Sequence, residues 1–238
     1  MEQPTASMLV IGDELLSGRT QDANMHYLAI QLTKIGINFC EVRFIRDDAA
    51  VIASNIVELS TKFDYLFTSG GIGPTHDDIT TDCVAEAFGR QVFVRPDALK
   101  ILKKYYDGKG IELNEARLRM ARIPEKADLI ENLISGAPGY IIENVYVMAG
   151  VPKIFQAMLQ TVLPNLKKGS PTLSLSIKLY KGEGDIALEL EQIVKTFSEL
   201  NFGSYPFNEN GIHGTNIVIR GKDKKLMIKA EEKVRNIA

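Results

Sequence analysis

A three-layer αβα sandwich around a mostly parallel sheet, followed by a small α+β unit, is the fold the sequence predicts. Two observations predict it. Through the first half, short apolar runs alternate with stretches whose apolar residues recur at helical spacing. That βαβαβα order gives parallel strands covered by helices on both faces. After Pro171 the order changes to strand, helix, two strands and helix, which reads as a separate small unit that packs on the first or pairs with a second chain.

The elements follow in order. Met8-Leu9-Val10-Ile11 is a buried strand ending at Gly12. Met25, Leu28, Ala29, Leu32 and Ile35 mark a helix stopped by Gly36. Residues 37–45 are rich in β-branched and aromatic side chains and form the second strand. Ile52, Ile56 and Leu59 mark a second helix, and residues 65–68 a third strand. Residues 82–88 are helical, and 96–122 are helical and polar with a break around Gly108–Gly110. Residues 140–143 and 145–148 flank Asn144 as a tight hairpin or strand change, and Phe155, Met158, Leu159 and Val162 mark a closing helix. Lys167–Pro171 is the expected linker, dividing a domain of residues 1–167 from one of 172–238. In the second, residues 173–179, 202–207 and 215–220 are strands, while 186–197 and 227–237 are helices.

Composition narrows the function. A formal net charge of −2 supplies no global positive field, so nucleic acid and anionic membranes are not expected partners. No apolar run is long enough to span a bilayer, and residues 1–20 lack the pattern of a signal peptide. Cys40 and Cys83, in a strand and a helix, are expected to be buried and reduced, as in a cytoplasmic protein. Three dispersed histidines and two cysteines argue against zinc; any metal is expected to be a hard cation on oxygen ligands.

In open α/β sheets ligands bind beyond the C-terminal ends of the strands. Three loops are expected there: Gly12–Asn24, Arg46–Asp48 and Thr68–Asp82, with Gly136–Gly139 closing over them. The third reads TSGGIGPTHDDITTD. Gly70, Gly71 and Gly73 let backbone amides approach an anion, Thr75 offers a hydroxyl, and the helix that follows points its positive end at the same place. Asp77 and Asp78 would repel a bare phosphate, so they imply a divalent cation between them and it, or a proton to be moved. The alternative is a tight strand-to-helix turn with a capping Asp or Thr. Asp13 and Glu14, directly after a strand, are expected to face a ligand or ion. Asp22, Asp47 and Asp48 are equally placed to cap helices. His76 stands beside the acids and either touches substrate or is solvated, and Arg117 either reaches a phosphate or lies on a solvated face.

GDELLSGRTQDAN, RDD, TSGGIGPTHDDITTD, RIPEKADLIEN, GAPGY and GVP occur in an order and spacing that resembles the molybdopterin-binding (MoaB/Mog-like) domain family over about the first 165 residues. The chain looks most like the branch containing the CinA competence/damage-inducible proteins and the N-terminal domain of eukaryotic FAD synthase. Residues 172–238 resemble the extra α+β domain of CinA-like proteins. The resemblance implies phosphate binding by Gly70 to Thr75, with a nucleotide or pterin cleft lined by Gly12, Asp13, Ser17 and Asp22. It also implies metal-assisted adenylyl or pyrophosphate chemistry at Asp78, with help from Asp47 or Asp48; on the residues alone, Asp77 is expected to share the metal and the catalysis with Asp78.

The implied reaction is hydrolysis of a dinucleotide pyrophosphate such as ADP-ribose or FAD. Magnesium, manganese or cobalt would serve as the divalent metal, with potassium as an accessory ion. Replacing Asp78 by Asn is expected to abolish turnover and spare binding. The competing expectations are a molybdopterin-binding protein of molybdenum-cofactor synthesis and a non-catalytic nucleotide sensor. Homo-oligomers are usual in the family. Where the family pattern continues with a Ser and a carboxylate after GVP, this chain has Lys153-Ile154, so a role attached to that carboxylate is not expected. Neither the deamidase domain of full CinA nor the adenylyl-transferase domain of FAD synthase lies within the 238 residues, so neither activity is expected of them.

Overall fold

The structure, a computed structural model, describes residues 3–237. The chain divides into two compact units after Gly169.

In the first unit, β1 (Thr5–Ile11) is buried along almost its whole length because both of its faces are covered. Leu9 and Ile11 point into one apolar cluster, Met8 and Val10 into another. A strand buried on both sides needs a continuous apolar run rather than alternation, which is why this one was readable. A single helical turn, α1 (Asp13–Leu16), precedes α2 (Asn24–Lys34), β2 (Asn38–Ile45), α3 (Ala49–Lys62) and β3 (Tyr65–Ser69). After the glycine loop come α4 (Thr80–Ala87), β4 (Val92–Val94), α5 (Pro96–Asp107) and α6 (Glu115–Leu118). The short strands β5 (Arg122–Pro124) and β6 (Asp128–Ile130) lead to β7 (Gly139–Ile142), β8 (Val145–Met148) and α7 (Pro152–Val162).

The main sheet has the order β2-β1-β3-β8-β7-β6. β2, β1, β3 and β8 run parallel, while β7 is antiparallel to both β8 and β6. One face carries α3, α4 and α5 through Ile52, Ile56, Leu59, Val84 and Leu102; the other carries α2 and α7 through Leu28, Leu32, Phe155 and Met158. This is the expected sandwich. The Asn144 hairpin is also present, and Asn144 does more than turn the chain. Its Nδ2 donates to the carbonyls of Ser60 (2.8 Å) and Phe63 (2.9 Å), tying the hairpin to the end of α3.

The second unit begins with β9 (Leu173–Leu179) and α8 (Glu183–Thr196). β10 (Asn201–Glu209), β11 (Ile212–Gly221) and α9 (Lys224–Arg235) complete it. Its antiparallel sheet has the order β10-β11-β9. The alternation seen in β9 places Ile177 and Leu179 in a core with Ile217, Ile219, Ile186 and Met227. Among the described residues, no helix is long and apolar enough to cross a membrane.

One expectation is overturned. Cys83 is buried, but Cys40 is exposed. β2 is the edge of the sheet and mostly half-buried, so residence in a strand did not guarantee burial.

Candidate functional site

The four parallel strands deliver their C-terminal ends to one rim. There a cleft of about 550 Å³ opens, lined by residues of the loops after β1, β2, β3 and β8 and of the loop before β7. Gly12, Asp47, Gly70, Gly71, Gly73, Thr75, Asp77 and Asp78 all line it, as the sheet order led one to expect. Asp13 and Ser17 line an adjoining cavity of about 480 Å³ instead.

The glycine loop is built differently from the expectation. Gly70 and Gly71 lie at φ +109° and +69°, which favours glycine. The space a side chain would take is already filled by protein. A Cβ at Gly70 would sit 2.2 Å from the Ile11 carbonyl oxygen, and one at Gly71 2.1 Å from Thr80 Oγ1. These two glycines let the loop pack on β1 and on the start of α4. Thr80 secures the turn, its hydroxyl donating to the Gly70 carbonyl (3.1 Å) and its amide to the Gly71 carbonyl (3.0 Å).

Asp78 closes the same loop. Its carboxylate accepts from the Gly73 amide (2.6 Å), the Thr75 amide (2.7 Å) and the Thr75 hydroxyl (2.5 Å). Gly73 is glycine because a Cβ there would stand 2.7 Å from that carboxylate. Two amides that the sequence suggested for a ligand phosphate are therefore turned onto Asp78. The Gly71 and Ile72 amides donate to no acceptor among the described residues.

The remaining acids are arranged outwardly. Asp47 accepts from the Asp13 amide through Oδ2 at 3.0 Å. Burial pushes its carboxyl above the usual range, and the negative charges of Asp13, Glu14 and Asp77 push the same way. Arg46 pairs with Asp13 at 3.0 Å, and that hydrogen bond holds the Asp13 carboxyl below its ordinary value. Hydrogen bonding from Thr75 and from its own amide holds the Asp77 carboxyl below its ordinary value.

Four carboxylates, Glu14, Asp47, Asp77 and Asp78, line the cleft, and no Lys, Arg or His does. Ala149, Val151, Pro152 and Ile154 add apolar surface to the lining.

Several candidates serve the scaffold. Asp22 accepts from the amides of Asn24 (3.3 Å) and Met25 (3.0 Å), so it caps α2. Asp48 caps α3 through the Val51 amide (3.0 Å), and Asn114 caps α6 through Arg117. Neither Asp22 nor Asp48 lines the cleft. Their carboxylates are used up by backbone donors that a helix start leaves unpaired. Arg117 lies over the Tyr106 ring and donates to the Glu112 carbonyl. His76 is exposed.

Two asparagines were missed. Asn24 is buried, and its Nδ2 donates to Ser69 Oγ (2.8 Å) and to the Gly150 carbonyl (2.7 Å), joining the ends of β3 and β8. The signal was its position in line with Leu28 and Leu32, which makes it a polar residue on the buried stripe of α2. Asn132 also lines the cleft. It accepts from the Ile134 and Ser135 amides and donates to Ser135 Oγ and the Ala137 carbonyl, so one side chain shapes the whole loop.

Residues 7–168 match the probable molybdopterin binding domain, and residues 171–237 match the middle domain of FAD synthase. The chain belongs to the molybdopterin-binding domain family. Within it the chain is CinA-like: the crystal structure of CinA from Thermoplasma acidophilum, described as of unknown function, matches with a TM-score of 0.62 and 32% identity. That match covers 68% of this chain and 98% of that one. A protein of Pyrococcus abyssi is 33% identical over 246 residues, covering 95% of this chain and 94% of its own. A probable FAD synthase of Caenorhabditis elegans is also 33% identical, over 250 residues, covering 95% of this chain and 48% of that protein. The rim described above lies within the residues that match the molybdopterin-binding domain.

Proposed function

We propose that this cleft binds a dinucleotide pyrophosphate, such as ADP-ribose or FAD, together with a hard divalent cation, and hydrolyses it. The observation that carries this reading is the charge of the cleft: four carboxylates, no cationic side chain and added apolar surface. A phosphate cannot approach four carboxylates without a counter-ion. The volume suits a nucleotide-sized ligand, since ligand pockets run from about 300 to 1,000 Å³.

The donor chemistry fits magnesium, manganese or cobalt. Among the described residues no three His, Cys, Asp or Glu side chains converge as a closed cage. Magnesium does not use such a cage; it takes one or two carboxylates and completes its shell with water and substrate phosphates. Asp47 and Asp77 are the carboxylates offered for that role, while Asp78 is spent on holding the loop. When bound, the cation would neutralise phosphate charge and lower the cost of activating water.

The chain's own residues do the rest. The Gly71 and Ile72 amides would donate to a phosphate, and the apolar side chains of Val151, Pro152 and Ile154 would pack on a ring. Hydrolysis forms one bond from water oxygen to phosphorus and breaks the bridging P–O bond. AMP and ribose 5-phosphate leave from ADP-ribose, AMP and FMN from FAD, and the proton passes to solvent.

The test is AMP release from ADP-ribose and FAD with magnesium, manganese or cobalt, with and without potassium. AMP release by the wild type that is lost in Asp47→Asn and Asp77→Asn, with folding unchanged, is the expected result. Nucleotide binding without AMP under every cation would sink the hydrolase reading and leave a sensor.

A further inference from the structure

The sheet of the second unit has two outer edges, and they are built differently. In the order β10-β11-β9, each outer strand pairs on one side only. A free edge is a row of unpaired amides and carbonyls, and proteins blunt it with proline or with charge. β10 is blunted: Pro206 stands inside it and has no amide to give. β9 is not. Its seven residues, LSLSIKL, contain neither proline nor glycine. Among the described residues, only β11 hydrogen-bonds to its backbone. Lys178, its one charged residue, does not guard the edge. The ammonium pairs with Glu209 on β10 at 2.7 and 2.8 Å, so it is drawn across β11 and away from the open side. Leu173, at the start of the same strand, is left 40% exposed.

We infer that β9 is the edge at which two copies of this chain join, β9 against β9, antiparallel, about a two-fold axis at Ser176. The strand suits itself as a partner. In that register all seven residues of each copy are matched. On the face that α8 and α9 cover, Leu173 stands opposite the copy's Leu179, and Leu175 opposite its Ile177. On the other face, Ser174 stands opposite Lys178, and Ser176 opposite its own counterpart. Opposed apolar pairs stabilise a ladder and opposed like charges weaken it; this register has the first and none of the second. Two three-stranded sheets become one of six strands. Its outer edges are then the two β10 strands, each carrying Pro206. Pairing therefore closes at two copies instead of running on into a fibre. One open edge and one blunted edge are what a closed pair of identical sheets requires.

The experiment measures the mass of the full chain by light scattering for wild type, Ser176→Lys, Ser176→Glu and an equimolar mixture of the two variants. Ser176 is exposed, so both variants are expected to melt within a few degrees of wild type. Each variant sets like charges face to face at the axis, and the expected result is an assembly of half the wild-type mass. The mixture sets opposite charges there and is expected to regain the full mass. A monomeric wild type, variants of undiminished mass, or a mixture that stays at half mass would overturn the inference. Hydrogen exchange of the wild type gives a second reading that needs no variant. The β9 amides that do not bond to β11 are expected to be protected, and to lose that protection on dilution as the mass halves. Protection that persists on dilution would show the edge covered by its own chain, and no protection at all would show it bare; either overturns the pairing.

Discussion

After β3, Asp78 turns its carboxylate back onto its own loop and accepts three hydrogen bonds there. After β1 and β2, Asp13, Glu14 and Asp47 crowd one another, with one backbone amide and one exposed arginine between them. The same residue types stand at the same rim of the same sheet. The difference lies in the donors the backbone leaves nearby. A carboxylate ringed by amides is fully paired and holds structure; carboxylates set beside each other share one amide and one exposed guanidinium and keep acceptor capacity free.

The strongest test of the contrast is at Gly70. An alanine there must move the Ile11 carbonyl and adopt a left-handed conformation, so Gly70→Ala is expected to lose about 3 kcal/mol or more in urea unfolding. Asp78→Ala strips the loop of its acceptor and is expected to cost about 2 kcal/mol by the same measurement. A midpoint equal to wild type would break the contrast, since Asp78 would then be no more structural than Asp47. Because Asn offers only one acceptor oxygen, Asp78→Asn disturbs the loop as well and is a poor test of catalysis.

Asp22→Ala and Asp48→Ala remove helix caps and are each expected to cost about 1 kcal/mol, without altering nucleotide affinity. Asp47→Asn keeps an acceptor for the Asp13 amide and relieves crowding among the acids. Its unfolding free energy is expected to stay within about 0.5 kcal/mol of wild type while AMP release disappears.

The smallest effect is at Arg46. Its hydrogen bond holds the Asp13 carboxyl low in the folded state, so the pair stabilises above the ordinary carboxylate range and that stability is lost as pH falls through the folded value. In Arg46→Ala, carboxyl NMR is expected to show Asp13 titrating at higher pH, with no measurable change in stability.

Much of this was legible. Both layers of helices and the parallel strands announced themselves through continuous apolar runs and helical spacing, because burial on two faces leaves a dense signal. The short pieces did not. β4, β5 and β6 have three residues each, too few for a period to show, and they flank a stretch that read as polar helix, β4 before it and β5 and β6 at its end and beyond. α8 begins at Glu183, three residues before the first apolar position, because Glu183, Gly184 and Asp185 form its exposed first turn.

At the rim, the sequence named the loops that converge there but not the division of labour among them. Asp22, Asp48, Asp77 and Asp78 look alike on paper. Which of them caps, clasps or faces open space depends on where backbone amides point, and that is settled only by the fold.

The position of β8 has a consequence for the growing chain. β3 lies between β1 and β8, with Leu66 and Phe67 wholly buried. During synthesis β1 is already present when β3 emerges, but β8 follows only from Val145. Over that interval β3 is an edge strand with an unpaired row of amides and carbonyls and apolar side chains on both faces, the feature by which nascent chains pair wrongly. The rim also waits, because the Gly150 carbonyl that Asn24 binds is made after β8. A ribosome-bound chain that stops before residue 145 therefore displays that edge before the rim cleft is complete.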